Sequence, residues 1–343
     1  MIFGTPTPTN LDLSALSATD GVVFQGDPAN AYAGTSVAGL GDVNGDGIDD
    51  FVITQRYGST FGAGNYGEAS IIYGKTSGWV ATTLNPTNVS GTTGFTVQGE
   101  ASNGYWDGAA RMGDINGDGL NDILVSAHNA NAGVGGAYVI YGVSGTRANI
   151  DLSSGGLGAN GFEITGSVRT GRVVAGGGDF NGDGQLDFAS GNFGYLGTVG
   201  RAALLYGDVG ALNLGSLTSD QGSIIDGVSN YRYAESISMS GDVNGDGFDD
   251  LLVGAGSADA TPSDSGAALL MFGRSGIPAT GASFSNYTNG STGIRIDGSV
   301  GGARLGRSVD LADVNGDGCA DILMGAARTT NGNAYVIFGG HAP

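Results

Sequence analysis

The chain has 343 residues, 68 of them glycine, with 13% charged residues and a formal net charge of −20. No Gly-X-Y period runs through the glycines, so collagen is excluded, and 40% hydrophobic with 8% aromatic residues is too much for a disordered acidic tail. No apolar run approaches the ~18 residues of a membrane-spanning helix. With 33 acids against 13 bases, nucleic acid and anionic membrane are poor partners, because phosphate would be repelled.

The acids are nearly all Asp, with four Glu, and the bases nearly all Arg, with one Lys. A chain so poor in helix formers points to strands and turns. Cys319 is the single cysteine, which excludes an intramolecular disulfide. The opening MIFGTPTPTN has neither a basic nor an apolar signal region. Its Met1-Ile2-Phe3-Gly4 echoes the end of a strand motif found later, which suggests a preceding unit in a longer chain.

In chain order, the first unit begins with a glycine-bounded segment, GVVFQG (21–26). A small-residue run from Thr35, an aspartate-rich loop from Asp42, the apolar run FVIT (51–54) and GEASIIYG (67–74) follow. The same succession recurs four times. The glycine-bounded segments are GFTVQG (94–99), GFEITG (161–166), GSIIDG (222–227) and GIRIDG (293–298). The segments after each loop are GGAYVIYG (135–142), GRAALLYG (200–207), GAALLMFG (266–273) and GNAYVIFG (332–339). Short β-branched or aromatic runs punctuated by Gly, Asn, Asp and Ser read as strands. Four such strands per unit, in five units, predict an all-β fold, a β-propeller of four-stranded antiparallel blades.

One domain over 1–343 follows, with repeats at 5–74, 75–142, 143–207, 208–273 and 274–340. Because the chain opens on a glycine-bounded strand and ends after YVIFG, residues 10–26 are expected to supply the outer strand of the last blade. Gly21–Gly26 would then lie beside Ala334–Phe338 and close a five-bladed ring.

Every unit carries Asp-x-Asn-x-Asp-Gly-x-x-Asp. The loops comprise Asp42, Asn44, Asp46 and Asp50; Asp114, Asn116, Asp118 and Asp122; Asp179, Asn181, Asp183 and Asp187; Asp242, Asn244, Asp246 and Asp250; Asp313, Asn315, Asp317 and Asp321. Alternate residues of a tight loop converge side-chain oxygens, and glycine at the sixth position allows the sharp turn. The seventh residue (Ile48, Leu120, Gln185, Phe248 or Cys319) can then offer its carbonyl, and the ninth, an Asp, closes the shell. All-oxygen donors without imidazole or thiolate select Ca²⁺, about one ion per repeat. An EF-hand is excluded, since position 12 is Ile53, Val125, Ser190, Val253 or Met324 where that motif needs Glu. No water-activating base accompanies the loops. His128 and His341 stand alone and read as ordinary surface residues.

With loop, strands and phase together, the sequence resembles the FG-GAP repeats of integrin α-subunit heads. The segments that carry the resemblance are YAGTSVAGLGDVNGDGIDDFVI, YAESISMSGDVNGDGFDDLLVGA and ARLGRSVDLADVNGDGCADILMGA. The resemblance implies calcium loops between the first and second strands on the lower face and ligand binding on the upper face. Integrin heads have seven repeats; this chain has five, so a truncated seven-bladed array, or one completed by another chain, is the alternative to a five-bladed ring.

The upper loops of such a fold hold Tyr57, Phe61, Tyr66, Tyr105, Trp106, Phe193, Tyr195, Tyr231, Arg232 and Tyr233. These residues either bind a protein or glycan ligand, or wedge between blades as core, the latter reading applying to Tyr105, Trp106 and Tyr233. The functional expectation is a non-catalytic, calcium-stabilised, extracellular or cell-surface adhesion or recognition propeller. The alternatives are a polysaccharide-acting or enzyme-associated propeller and a structural spacer. For an enzyme, paired carboxylates would be required, and Glu68, Glu100, Glu163, Asp226, Glu235 and Asp297 form no recurrent pair.

Overall fold

A computed structural model describes residues 21–26, 31–59, 64–77, 79, 84–100, 104–166, 170–192, 199–228, 231–259, 263–276, 282–328 and 332–340. The first blade comprises β1 (Ala33–Gly41), β2 (Asp50–Gln55), β3 (Glu68–Ile72) and β4 (Gly94–Gln98). The second has β5 (Trp106–Gly113), β6 (Asp122–Ala127) and β7 (Gly136–Ile140); the two-residue β8 (Ile150–Asp151) precedes its outer strand, β9 (Gly161–Thr165). The third has β10 (Val173–Gly178), β11 (Asp187–Asn192) and β12 (Arg201–Leu205), then β13 (Leu212–Asn213) and β14 (Gly222–Asp226). The fourth has β15 (Ser236–Ser238), β16 (Leu251–Ala255) and β17 (Ala267–Met271), then β18 (Ala282–Ser283) and β19 (Gly293–Asp297). The fifth has β20 (Leu305–Ala312), β21 (Asp321–Ala326) and β22 (Asn333–Ile337). Among the described residues the one α-helical segment is Ala130–Gly133.

Within a blade the strands run antiparallel in chain order, as in β5–β6–β7–β9. The glycine-bounded segments are the outer strands. Their first glycine takes a φ of 138–154° at Gly94, Gly161 and Gly222, where a Cβ would stand about 2 Å from the carbonyl oxygen of Ile71, Val139 or Leu204. A side chain there would collide with the third strand, so glycine is required.

The sheets are five blades of a β-propeller, packed face to face in sequence. Because side chains alternate across a strand, Ile123 and Val125 of β6 pack toward the first blade while Leu124 packs toward the third. Four apolar clusters fill the four spaces between consecutive blades. None of the clusters among the described residues joins the fifth blade to the first, and none of the strand pairings does so either.

The expected ring closure is therefore corrected. Residues 21–26 do not lie along β22. Phe24 forms a parallel bridge with Leu84, with Gln25 N–H donating to the Leu84 carbonyl at 2.7 Å and Leu84 N–H to the Val23 carbonyl at 2.9 Å. This is the relation that β4 has to β8, β9 to β13 and β14 to β18. The segment thus sits where the outer strand of a blade preceding the first would sit, without reaching the fifth blade. Residues 10–20 of that expectation lie outside the described residues.

Candidate functional site

The five aspartate loops share one hydrogen-bond pattern. In the first, Asp42 Oδ1 accepts from Gly45 N–H at 2.7 Å and Oδ2 from Gly47 N–H at 2.7 Å. Asn44 Oδ1 accepts from Asp46 N–H, and Asp46 Oδ1 from Ile48 N–H. Both glycines of Asn-Gly-Asp-Gly take positive φ, 76° and 82° in this loop, so two positions and not one need glycine. The same bonds recur at Asp114, Asp179, Asp242 and Asp313.

The ninth-position Asp also binds outside the loop. Asp50 Oδ2 accepts from Val43 N–H and Oδ1 from Gly74 N–H, tying the start of the loop to the end of β3. Asp122, Asp187, Asp250 and Asp321 do likewise with Gly142, Gly207, Gly273 and Gly339. Burial, opposed by these N–H groups and helped by neighbouring carboxylates, pushes Asp50 and Asp122 up to about 6. The same causes push Asp187 and Asp250 up to about 7. Asp42 is also raised by burial, but the N–H groups of Gly47, Gly45, Asn44 and Asp46 prevail and hold it below the usual range.

Among the described residues no three His, Cys, Asp or Glu side chains converge as metal ligands do. The chemistry of each loop nonetheless fits a hard cation, because every side-chain donor is oxygen and several carboxylates crowd together. The seventh-position side chains serve packing: Leu120 reaches Gly45 of the preceding loop, and Phe248 reaches Gly182. Successive loops are also linked by backbone, with Asn121 N–H donating to the Asp42 carbonyl, Asp249 to Asp179 and Ala320 to Asp242.

At the opposite end the aromatic residues divide. Trp106 and Tyr233 are 0% and 1% exposed and belong to the inter-blade core, so of the two readings open for them the wedge holds and ligand contact does not. Trp106 stacks on Tyr138 at 5.6 Å beside Gly67 and Gly99, and Tyr233 lies between Tyr231 and Phe284. Tyr57, Tyr66, Tyr105 and Tyr231 are half-buried, and Arg232 is exposed. Tyr32, Tyr57 and Tyr105 form a chain of edge contacts, each 5.3 Å. Phe61, Phe193 and Tyr195 lie outside the described residues, as does His341.

His128 is not a surface residue. It is 6% exposed, with Nδ1 2.7 Å from Asp107 Oδ2 and its ring against Tyr105. Asp107 also receives Arg56 Nε at 2.6 Å. Burial alone would raise Asp107, but His128 and Arg56 together hold it below the ordinary carboxylate range. This cluster joins the upper ends of the first two blades, and its members lie too far apart in sequence to form a motif.

The inner strands surround an axial space. A cavity of about 680 Å³, lined mainly by small residues of β1, β5, β10 and β15, lies along it. Above it a second cavity, of about 590 Å³, draws its walls from all five blades and includes Arg56, Arg172, Arg232, Arg304 and Arg307. Of these, Arg232 is among the ligand candidates expected from the sequence; Arg56, Arg172, Arg304 and Arg307 are not, and all five lie at the upper ends of first and second strands.

Blades in series, aspartate loops at one end and an axial cavity at the other define a β-propeller module. Four segments match the FG-GAP repeat family, residues 33–73, 108–141, 236–271 and 305–337, so the chain carries FG-GAP repeats. They coincide with the first three strands of the first, second, fourth and fifth blades; the third blade has the same strand order. The chain is also similar to a phosphatidylinositol-glycan-specific phospholipase D of Dictyostelium discoideum, 30% identical over 149 residues. That similarity covers 37% of this chain and 14% of the relative. No helix among the described residues is long and apolar enough to cross a membrane.

Proposed function

We propose that this chain is a non-catalytic, calcium-stabilised recognition propeller of an extracellular or cell-surface protein, binding a protein or glycan through its upper end. The observation that carries this reading is the division of labour between the two ends. At the lower end the carboxylates hold the loops and blade edges together. At the upper end half-buried tyrosines and arginines surround a cavity.

In the loops, Asp42, Asn44, Asp46 and Asp50 and their four counterpart sets would hold the ion. The N–H bonds that these oxygens accept use only part of their lone pairs, which leaves acceptor capacity for an ion. The ion supplies positive charge that these crowded carboxylates lack, and sites of about 10⁻⁴–10⁻³ M affinity fill at extracellular calcium levels.

Four of the six acids that an enzyme could use are engaged in other contacts. Glu68 accepts from Gln55, Glu100 from Tyr138 Oη, Asp226 from Arg201 and Asp297 from Arg295. The similarity to part of a phospholipase D favours a second reading, an accessory module beside a separate catalytic unit. Glycan-array and cell-surface binding of the chain in calcium tests the proposal. Tyr57→Ala is expected to abolish binding with the melting temperature kept, and unchanged binding would refute the upper-end assignment.

A further inference from the structure

We propose that the upper axial cavity is a binding site for an acidic oligosaccharide, one bearing carboxylate or sulfate groups; this deepens the recognition reading and rests on it. The first argument is charge. Acids outnumber bases 33 to 13 over the chain, yet five of the seven Asp, Glu, Lys and Arg residues lining this cavity are arginine. They come from four blades, so no local feature of one loop explains their meeting.

The second argument is that three of the five arginines carry charge that no ion pair neutralises. Asp107, one of the two lining carboxylates, is held by Arg56 and His128. Among the described residues Arg232, Arg304 and Arg307 have no ion-pair partner. Guanidinium groups gathered at one concave mouth suit the planar, bidentate recognition of carboxylate or sulfate oxygens.

The third argument separates a saccharide from a bare anion. Glu235, the other lining carboxylate, has an Oε2 that is buried and without a hydrogen-bond partner. A buried acceptor wants a donor. Sugar hydroxyl groups are donors, so a ligand carrying both hydroxyl and anionic groups satisfies Glu235 and the arginines together. The rim adds stacking faces: Tyr32 is 64% exposed beside Tyr57, and Arg56 lies over Tyr105. At about 590 Å³ the space suits a few sugar rings. A long phosphate polymer would have to run beyond the mouth across a surface of opposite preference.

The backbone agrees. Arg232 and Arg304 hold φ values of 44° and 59°, a left-handed conformation that L-residues adopt at a cost and that gathers at binding sites.

The test is calorimetric titration of the chain, in calcium, with four probes: a galacturonate oligosaccharide, a heparin-derived oligosaccharide of similar length, a neutral glucan oligosaccharide and an oligothymidylate. Saturable binding of the first or second, with the neutral one silent, is expected, and the pair tells carboxylate from sulfate. Arg307→Gln and Arg232→Gln, both at exposed positions, should each weaken binding roughly tenfold or more with the melting temperature unchanged. No binding of either acidic probe would overturn the inference, as would undiminished binding by both variants. Equal binding of an oligothymidylate would overturn it too, by showing a site for phosphate polymers. If cell-surface or neutral-glycan binding persists while acidic probes fail, this inference falls and the recognition reading stands. If no ligand of any class binds, both fall.

Discussion

The third strands of the second and fifth blades share the run Ala-Tyr-Val-Ile, yet they live in opposite surroundings. Tyr138 and Val139 in β7 are 2% and 0% exposed; Tyr335 and Val336 in β22 are 38% and 48% exposed. In the second blade an outer strand, β9, covers the edge of β7, and neighbouring blades cover both faces. In the fifth, β22 is an edge strand. Burial in this architecture is thus conferred by the next blade, because local sequence sets only the strand and its alternation. An uncovered apolar edge is also where another strand can add.

The comparison breaks most sharply with a charge. Val139→Asp should lower stability by more than about 4 kcal/mol, because the carboxylate would be buried without a partner, whereas Val336→Asp should change it by about 0.5 kcal/mol or less. Equal melting temperatures for the two variants would show that β22 is as enclosed as β7.

The next effect concerns the aspartates that tie loop to strand. Asp122→Ala leaves the buried N–H groups of Ile115 and Gly142 unsatisfied, about 1–3 kcal/mol each. Asp321→Ala frees Val314 and Gly339 N–H, which are only partly buried, so chemical denaturation should record a smaller loss.

A third test concerns calcium and pH in the first four blades. The folded values of Asp50, Asp122, Asp187 and Asp250 lie at about 6 to 7, above the roughly 3.9 of an unfolded chain. Without metal, their contribution is full below pH ~3.9 and is lost as pH rises through about 6 to 7, so in chelator the melting temperature should rise on acidification. With calcium, which needs the ionised groups, the metal's stabilisation should fall over the same range. Parallel pH profiles with and without chelator would count against metal in the loops.

The smallest contrast is a single hydroxyl. Tyr138→Phe removes a 2.8 Å hydrogen bond to Glu100 and should cost about 1 kcal/mol, while Tyr335→Phe should be neutral.

Strands and loops were legible in the sequence because each is a short-range matter. The glycine-bounded segments match β4, β9, β14 and β19, and the loop aspartates recur in one hydrogen-bond pattern. Three things were not legible. The two-residue pairings of β8, β13 and β18 are too short to leave a pattern. Trp106 and Tyr105 share one expectation in the sequence, to bind or to wedge between blades, and only the packing of Gly67 and Gly99 around Trp106 separates them. The Arg56–Asp107–His128 cluster and the axial arginines are assembled by the curvature of the blade array, which no single repeat encodes.

The overlaps of β4 with β8, β9 with β13 and β14 with β18 run in one direction only. The segment that covers an outer strand always comes from beyond the third strand of the following blade. A blade is therefore completed by its successor, so folding that begins at the N-terminal end during synthesis would leave each blade waiting for the next. At every moment of such folding one blade edge is unfinished, and the stretch still to come is what finishes it.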